Sequence, residues 1–253
     1  MIEEGVLIPA TLRPVGQGLS GAKRGQVKIS GISHKCVVKP ESIGGVVAEC
    51  FAAAVGIHLG LPTLKPVIVR YPGKSEMWFG ARDLQHPSLL TAMNVNDAAG
   101  VRRAALLLAT WAQFGSTISF DELIANPDRN LQNLLWDGQD FWLIDHARAL
   151  GNAVHEKNTL ANVAMSLEPV AVDGAKAAAI AQALVQQSKC GSDDAIWTDL
   201  TDAFKALASI EKQYEKWEKA EEACRTFIHS RVPSLASNTA NCFSPLLNHH
   251  ANH

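Results

Sequence analysis

The stretch IANPDRNLQNLLWDGQDFWLIDHARAL, residues 124–150, constrains the fold more than any other. Two short apolar runs, LLW at 134–136 and FWLI at 141–144, flank DGQD, and an Asp-Gly pair between such runs favours a tight antiparallel hairpin. An antiparallel hairpin sets the residue before its first strand, Asn133, beside the residue after its second, Asp145. An amide oxygen and a carboxylate brought together there are hard ligands suited to Mg²⁺, which keeps waters and takes one or two protein ligands beside substrate phosphates. Asp128 stands five residues before Asn133, where a loop could aim a second carboxylate at the same space without entering the metal shell. Taken singly, Asp and Asn also cap helices and build turns, and Asp137 and Asp140 need no other explanation. Taken together, Asp128, Asn133 and Asp145 fit a phosphoryl-transfer site.

Such a site makes demands on the rest of the chain: a Gly-rich turn between strands, a lysine on a strand and a glutamate on the helix that follows. VGQGLSGAKRG supplies Gly16, Gly18, Gly21 and Gly25, whose backbone N–H groups could approach phosphates because no Cβ intervenes. CVVKP puts Lys39 at the end of an apolar run, and Glu49 follows in VVAECFAAA among apolar neighbours. A carboxylate on such a face is costly to bury unless paired, and Lys39 is its natural partner. Arg129, next to Asp128, could orient that aspartate, contact a transferred phosphate or form a structural salt bridge. His146 could assist catalysis or face solvent.

Around these motifs the chain divides in two. GQVKIS, KCVVKP and PVIVRY read as strands bounded by Gly or Pro, and GGVVAECFAAAVGIHLGLP between the last two reads as one helix and a turn. From about Asn96 the pattern is helical: NDAAGVRRAALLLATWAQFG opens on an Asn/Asp cap and is expected to close at Gly115. Residues 173–188 and 192–231 also read as helix, whereas the polar tail NTANCFSPLLNHHANH is expected to fray. Its His249, His250 and His253 have no cage to fix a metal. The expected class is α+β, with a small β-rich lobe over residues 1–82 and a mostly helical lobe over 83–253.

A chain of 253 residues that is 47% hydrophobic can bury a sizeable core. Its net charge of -2, without a long basic run, lacks the electrostatic footprint of a nucleic-acid binder. No apolar run reaches the roughly 18 residues of a membrane span, and MIEEGVLIPA does not look like a signal peptide, so a cytoplasmic protein is expected. Five scattered cysteines with no CxxC pair fit reduced packing thiols.

These residues resemble the protein-kinase-like fold, specifically the HipA-like kinases, with a more distant likeness to the phosphatidylinositol 3/4-kinase branch. The resemblance runs from Gly16 to about Gly151. It is most specific in ANPDRNLQN followed by LID, and in VVKP followed by Ala48 and Glu49. It implies a two-lobed, ATP- and Mg²⁺-dependent phosphotransferase. Lys39 would bind the ATP phosphates, Glu49 would hold Lys39, Asp128 would be the catalytic aspartate, and Asn133 and Asp145 would bind the metal. Gly18, Ser20 and Gly21 would belong to the nucleotide-binding turn. EMWFGARDL resembles the hinge between lobes, which would bring the backbone of Trp78, Phe79, Gly80 and Ala81 to adenine. Asn130 stands where HipA-like and lipid kinases carry histidine, and Asp145-His146-Ala147 stands where many kinases show Asp-Phe-Gly. The resemblance further implies serine/threonine transfer to a protein substrate, autophosphorylation at Ser20, and a toxin-like role beside an antitoxin-like protein partner. Lipid or small-molecule phosphorylation, nucleotidyl transfer to protein, and a pseudokinase that serves as a protein-interaction module are the alternatives.

Overall fold

The computed structural model describes residues 2–15, 21–151, 157–192, 201–202 and 214–244. Its first part is a closed barrel built from β1 (Glu3–Pro14), β2 (Lys23–Ile29), β3 (Ile32–Pro40), β4 (Pro66–Arg70) and β5 (Met77–Arg82). The strands follow one another around it as β1-β2-β3-β5-β4. β1 runs parallel to β4, and the other neighbours are antiparallel. Alternation along the strands sends Leu7, Val27, Ile29, Cys36, Val38, Val67, Val69 and Trp78 into the interior. The expected strands at 25–30, 35–40 and 66–71 are present with small shifts, but β1 was not expected. It carries Pro9, which cannot donate to a ladder, and its register with β2 slips between Ile8 and Arg13.

Helix α1 (Ile43–His58) connects β3 to β4 and begins where Ser42 accepts the Gly45 N–H at 3.1 Å. Residues 45–56 of this helix are all buried, and it packs on β4, β5 and the later helix α7 (Tyr214–Arg231). Val46, Val47, Cys50, Phe51 and Ala54 therefore share one apolar core with Leu108, Phe120, Leu134 and Ile228 of the helical part.

After β5 come α2 (Leu89–Ala92), α3 (Ala98–Ala109), α4 (Phe114–Leu123), a hairpin of β6 (Leu134–Trp136) and β7 (Phe141–Leu143), α5 (Thr159–Met165) and α6 (Pro169–Ser192). Helices α7 and α8 (Leu235–Asn241) follow. Asp97 caps α3, accepting the Gly100 N–H at 2.6 Å. The helix does not run on to Gly115: it stops at Ala109, and Gly115 lies inside α4. Residues 238–244, the described part of the tail, do not fray as expected, because α8 buries Thr239 and the next turn buries Phe243. Residues 245–253, with the three terminal histidines, lie outside the described residues. None of the five cysteines is in a disulfide. Burial pushes the Cys36 thiol up to about 11 and the Cys224 thiol up to about 12, so neither is a nucleophile at neutral pH. Among the described residues no helix is long and apolar enough to cross a membrane.

Gly115 owes its identity to the packing of α4 on α6. A Cβ there would lie 2.9 Å from Ala178 Cβ, 2.9 Å from the Ala179 backbone nitrogen and 3.0 Å from the Ala178 carbonyl carbon. Backbone atoms do not swing aside as a flexible side chain would. Gly115→Ala should therefore lower stability by about 1–2 kcal/mol in urea unfolding, overpacking outweighing the better helix propensity of alanine. A variant as stable as the parent would refute the close approach of the two helices.

Candidate active site

Hairpin β6–β7 carries the site, and its form follows from its sequence. Gly138 takes a φ of 106° in the turn, and the Asp137 carboxylate accepts the Gln139 and Asp140 N–H groups, each at 2.8 Å. Those bonds hold the Asp137 carboxyl below its ordinary pKa. A two-stranded hairpin is marginal alone. This one is tethered on both sides, because the Leu143 N–H donates to Pro62 C=O at 2.9 Å and the Trp136 N–H to Pro87 C=O at 3.0 Å.

The register pairs Leu134 with Leu143, which sets Asn133 opposite Ile144 rather than Asp145. The Ile144 N–H donates to Asn133 C=O at 3.2 Å, closing the open end of the hairpin. Asp145 lies one step further, at a φ of 63°, a left-handed conformation that turns the chain out of the strand direction. The expected Asn133–Asp145 juxtaposition is thus offset by one residue.

The loop feeding the hairpin is built on buried polar groups. The Asn126 N–H donates to Asp121 C=O at 2.9 Å, and Asn126 Oδ1 accepts the Asp128 N–H at 3.1 Å. The Asp128 carbonyl accepts the Asn130 N–H at 2.8 Å and Asn133 Nδ2 at 2.7 Å. The second of these bonds uses Asn133 Nδ2 and leaves Oδ1 as the amide atom that could meet a metal. With its backbone fixed in this way, Asp128 keeps a partly exposed carboxylate. Its neighbour Arg129 is wholly buried. Nε bonds both Asp121 oxygens at 3.3 and 3.2 Å, Nη2 bonds Asp121 Oδ1 at 3.3 Å, and Nη1 donates to the Asn133 and Ile144 carbonyls at 3.0 and 2.5 Å. Arg129 is therefore a structural tie, and a role in contacting a phosphate is ruled out because no face of the guanidinium reaches the site surface.

From the barrel side, Lys39 points away from the interior toward the hairpin. Its Nζ lies 2.7 Å from Asp145 Oδ1, 2.8 Å from Glu41 and 3.6 Å from Glu49 Oε1. Burial works against its charge, but the Asp145 and Glu49 carboxylates and the hydrogen bonds to Asp145 and Glu41 outweigh it and raise its pKa above the ordinary lysine value. Lys39 is charged at neutral pH. Glu49 is less simply paired than its sequence context suggests. Oε2 accepts the His146 N–H at 2.7 Å with His146 Nδ1 at 3.4 Å, whereas buried Oε1 has no hydrogen-bond donor. His146 neither faces solvent nor reaches the surface; it is buried, edge-on to Phe120.

Three carboxylates around one ammonium leave this cluster with a formal excess of negative charge. The hard oxygens of Asp145 and Asn133 fit an arriving Mg²⁺, and Glu49 Oε1, which has no hydrogen-bond donor, adds negative charge nearby. Among the described residues no group of three or more His, Cys, Asp or Glu side chains forms a metal cage, so such an ion would draw its other ligands from phosphates and water.

The remaining expected site residues fare differently. Gly16, Gly18 and Ser20 lie outside the described residues. Gly21 is exposed at a φ of 65°, as a turn glycine should be, but Gly25 belongs to β2, paired with Cys36. Trp78, Phe79, Gly80 and Ala81 sit in β5, which pairs with β3 on one edge and β4 on the other. Their backbone groups are spent on two ladders and are not free to meet a base. The Trp78 side chain also turns into the barrel. The chain leaves the barrel beyond Arg82, where the Asp83 N–H is itself bonded to Lys35 C=O at 3.0 Å. Asp121, Asn126, Glu41 and Arg148 were missed. Glu41, two residues after Lys39, was the one within reach of local reasoning; Asp121 is paired only by the fold.

No family model matches the chain. No curated protein matches it either. Among solved structures, the crystal structure of the Helicobacter pylori proinflammatory kinase CtkA is similar, with a TM-score of 0.53 at 12% sequence identity over 90% of this chain and 95% of that one. At that identity the likeness is one of fold, and the fold is kinase-like.

Breaking a buried pair by removing one partner strands the other charge. Arg129→Met should therefore cost about 3–5 kcal/mol in urea unfolding. A loss below about 1 kcal/mol, the range of surface ion pairs, would contradict the structural role given to Arg129.

Proposed function

We propose that this chain is an ATP- and Mg²⁺-dependent phosphotransferase of two-lobed, HipA-like kinase architecture that phosphorylates serine or threonine hydroxyls on protein. The observation that carries the reading is the convergence of Lys39 from a strand, Glu49 from a helix and Asp145 from a hairpin within 3.6 Å of one ammonium. The loop holding Asp128 and Asn133 is bonded to that same hairpin. The fold likeness to a kinase supports it.

Each side chain has a task that its surroundings fit. Lys39, kept protonated by its carboxylates, offers a positive charge to the nucleotide phosphates. Glu49 fixes the segment after Asp145 through the His146 N–H and so sets the distance between barrel and hairpin. Asp128, with its backbone locked by Asn126 and Asn133, orients an incoming hydroxyl and receives its proton. Asn133 Oδ1 and Asp145 would hold Mg²⁺, which when bound neutralises phosphate charge. Positioning and charge stabilisation supply most of the acceleration in such chemistry.

One observation favours a second reading, a nucleotide-binding pseudokinase. The catalytic loop presents no cation of its own, since Arg129 is buried and Asn130 spends its Oδ1 on the Gln132 N–H at 2.8 Å and its Nδ2 on Asp128 C=O at 3.2 Å. Incubation with γ-labelled ATP and Mg²⁺ separates the two. The wild type should consume ATP or label protein, and Asp128→Ala and Asp145→Ala should each lose about 10²–10⁴-fold. A wild type that binds ATP without turnover would favour the pseudokinase; undiminished turnover by either variant would sink the assignment of that aspartate.

A further inference from the structure

A transferring phosphoryl group spreads negative charge over its equatorial oxygens, and beyond positioning its passage is accelerated chiefly by well-placed positive charge. Among the described residues, three Lys or Arg side chains contact the site: Lys39, Arg129 and Arg148. Two are already committed, Lys39 to its carboxylates and the nucleotide and Arg129 to buried bonds. Lys39 is only 11% exposed at its side chain and sits among three carboxylates, and Arg129 is 0% exposed with its donors spent. Arg148 differs in both respects. Its side chain is 62% exposed, and its one ion pair among the described residues is Nη1 to Asp128 Oδ2 at 3.9 Å. A loose pair between exposed groups contributes under about 1 kcal/mol, so it yields readily to a better anion.

The backbone beneath Arg148 is held firmly even though its side chain is free. Ala147 and Ala149 on either side are buried. The Ala149 N–H donates to His146 C=O at 2.9 Å, and the Leu150 N–H to Ile124 C=O at 2.7 Å. Glu49 grips the His146 N–H. A guanidinium on a pinned turn, three residues after Asp145 and 3.9 Å from the Asp128 carboxylate, has its base fixed and its planar fork able to turn to phosphate oxygens.

Resting on the phosphotransferase reading, we infer that Arg148 supplies the positive charge missing from the catalytic loop and binds the γ-phosphoryl group as it transfers. In the step itself the bond between γ-phosphorus and the β–γ bridging oxygen breaks, and its electron pair leaves with ADP. A bond forms from the acceptor oxygen to phosphorus, and the acceptor's proton passes to Asp128. Arg148 neither gives nor takes a proton. It leaves Asp128 Oδ2 for the phosphoryl oxygens, which also frees that carboxylate for its proton.

The test uses ATP hydrolysis by the full chain, with water as acceptor and inorganic phosphate as product, together with calorimetric binding of Mg·ADP with and without aluminium fluoride. Arg148→Ala should lower kcat by about 100-fold or more with KM for ATP within about threefold, the pattern of an interaction made in the transition state. It should weaken the aluminium fluoride complex, which mimics the transferring group, and leave Mg·ADP binding as in the wild type. Added guanidinium, well below denaturing concentrations, should restore part of the rate, and Arg148→Lys should fall between. Wild-type kcat in Arg148→Ala, a defect confined to KM, or unchanged binding of the aluminium fluoride complex would overturn the inference and leave the phosphotransferase reading standing. A wild type that neither hydrolyses ATP nor transfers its γ-phosphoryl group to protein would overturn both.

Discussion

Everything at the site depends on one guanidinium that water cannot reach. Arg129 joins the Asp121 carboxylate on α4 to the backbone of Asn133 and Ile144, one carbonyl at each open end of the hairpin. Taking both charges out of water is costly, and the cost is offset only because each guanidinium nitrogen finds an acceptor. The result is a frame in which α4, the loop and the hairpin share a single anchor. Asp128, Asn133 and Asp145 are side chains hung from that frame. α4 is in turn fixed by Arg231 of α7, which donates to the Glu122 carbonyl at 2.9 and 2.7 Å and to its carboxylate at 2.5 Å.

A second cluster ties this frame to the barrel and has the opposite electrostatic character. Arg129 is fully neutralised, whereas Lys39 faces more carboxylate than it can satisfy, and one Glu49 oxygen stays buried without a donor. Structure is served by closed hydrogen-bonding, and ligand binding by charge left incomplete. α1 lets both exist at close quarters. Its apolar faces merge the barrel side with the helical core, while Glu49, 1% exposed, carries one carboxylate through that core to the His146 backbone.

What was legible in the sequence were features with local causes. The Asp-Gly hairpin, the apolar helix α1 and the strands bounded by Gly or Pro follow from patterns a few residues long. Lys39, Glu49, Asp128, Asn133 and Asp145 could be singled out together because their chemistry is unusual in those contexts. What was not legible depends on partners distant in the chain. β1 hides its strand pattern behind Pro9. MWFGAR reads as an aromatic connector until β3 and β4 are seen on its two edges. Gly115 looks like a helix end, yet it is a contact point for the α6 backbone. Arg129 beside Asp128 suggests chemistry, but Asp121 eight residues earlier claims it. The offset of Asp145 from Asn133 is a matter of one residue of register, which composition cannot reveal.

The most direct measurement of the central claim is a crystal structure of the chain with Mg²⁺ and a non-hydrolysable ATP analogue. The account predicts a metal ion held by Asn133 Oδ1 and the Asp145 carboxylate, with the nucleotide phosphates at Lys39 and the base beyond Arg82 rather than against β5. Analogue bound elsewhere, or an unchanged Lys39–Asp145 pair with no metal at Asn133 under saturating conditions, would contradict it.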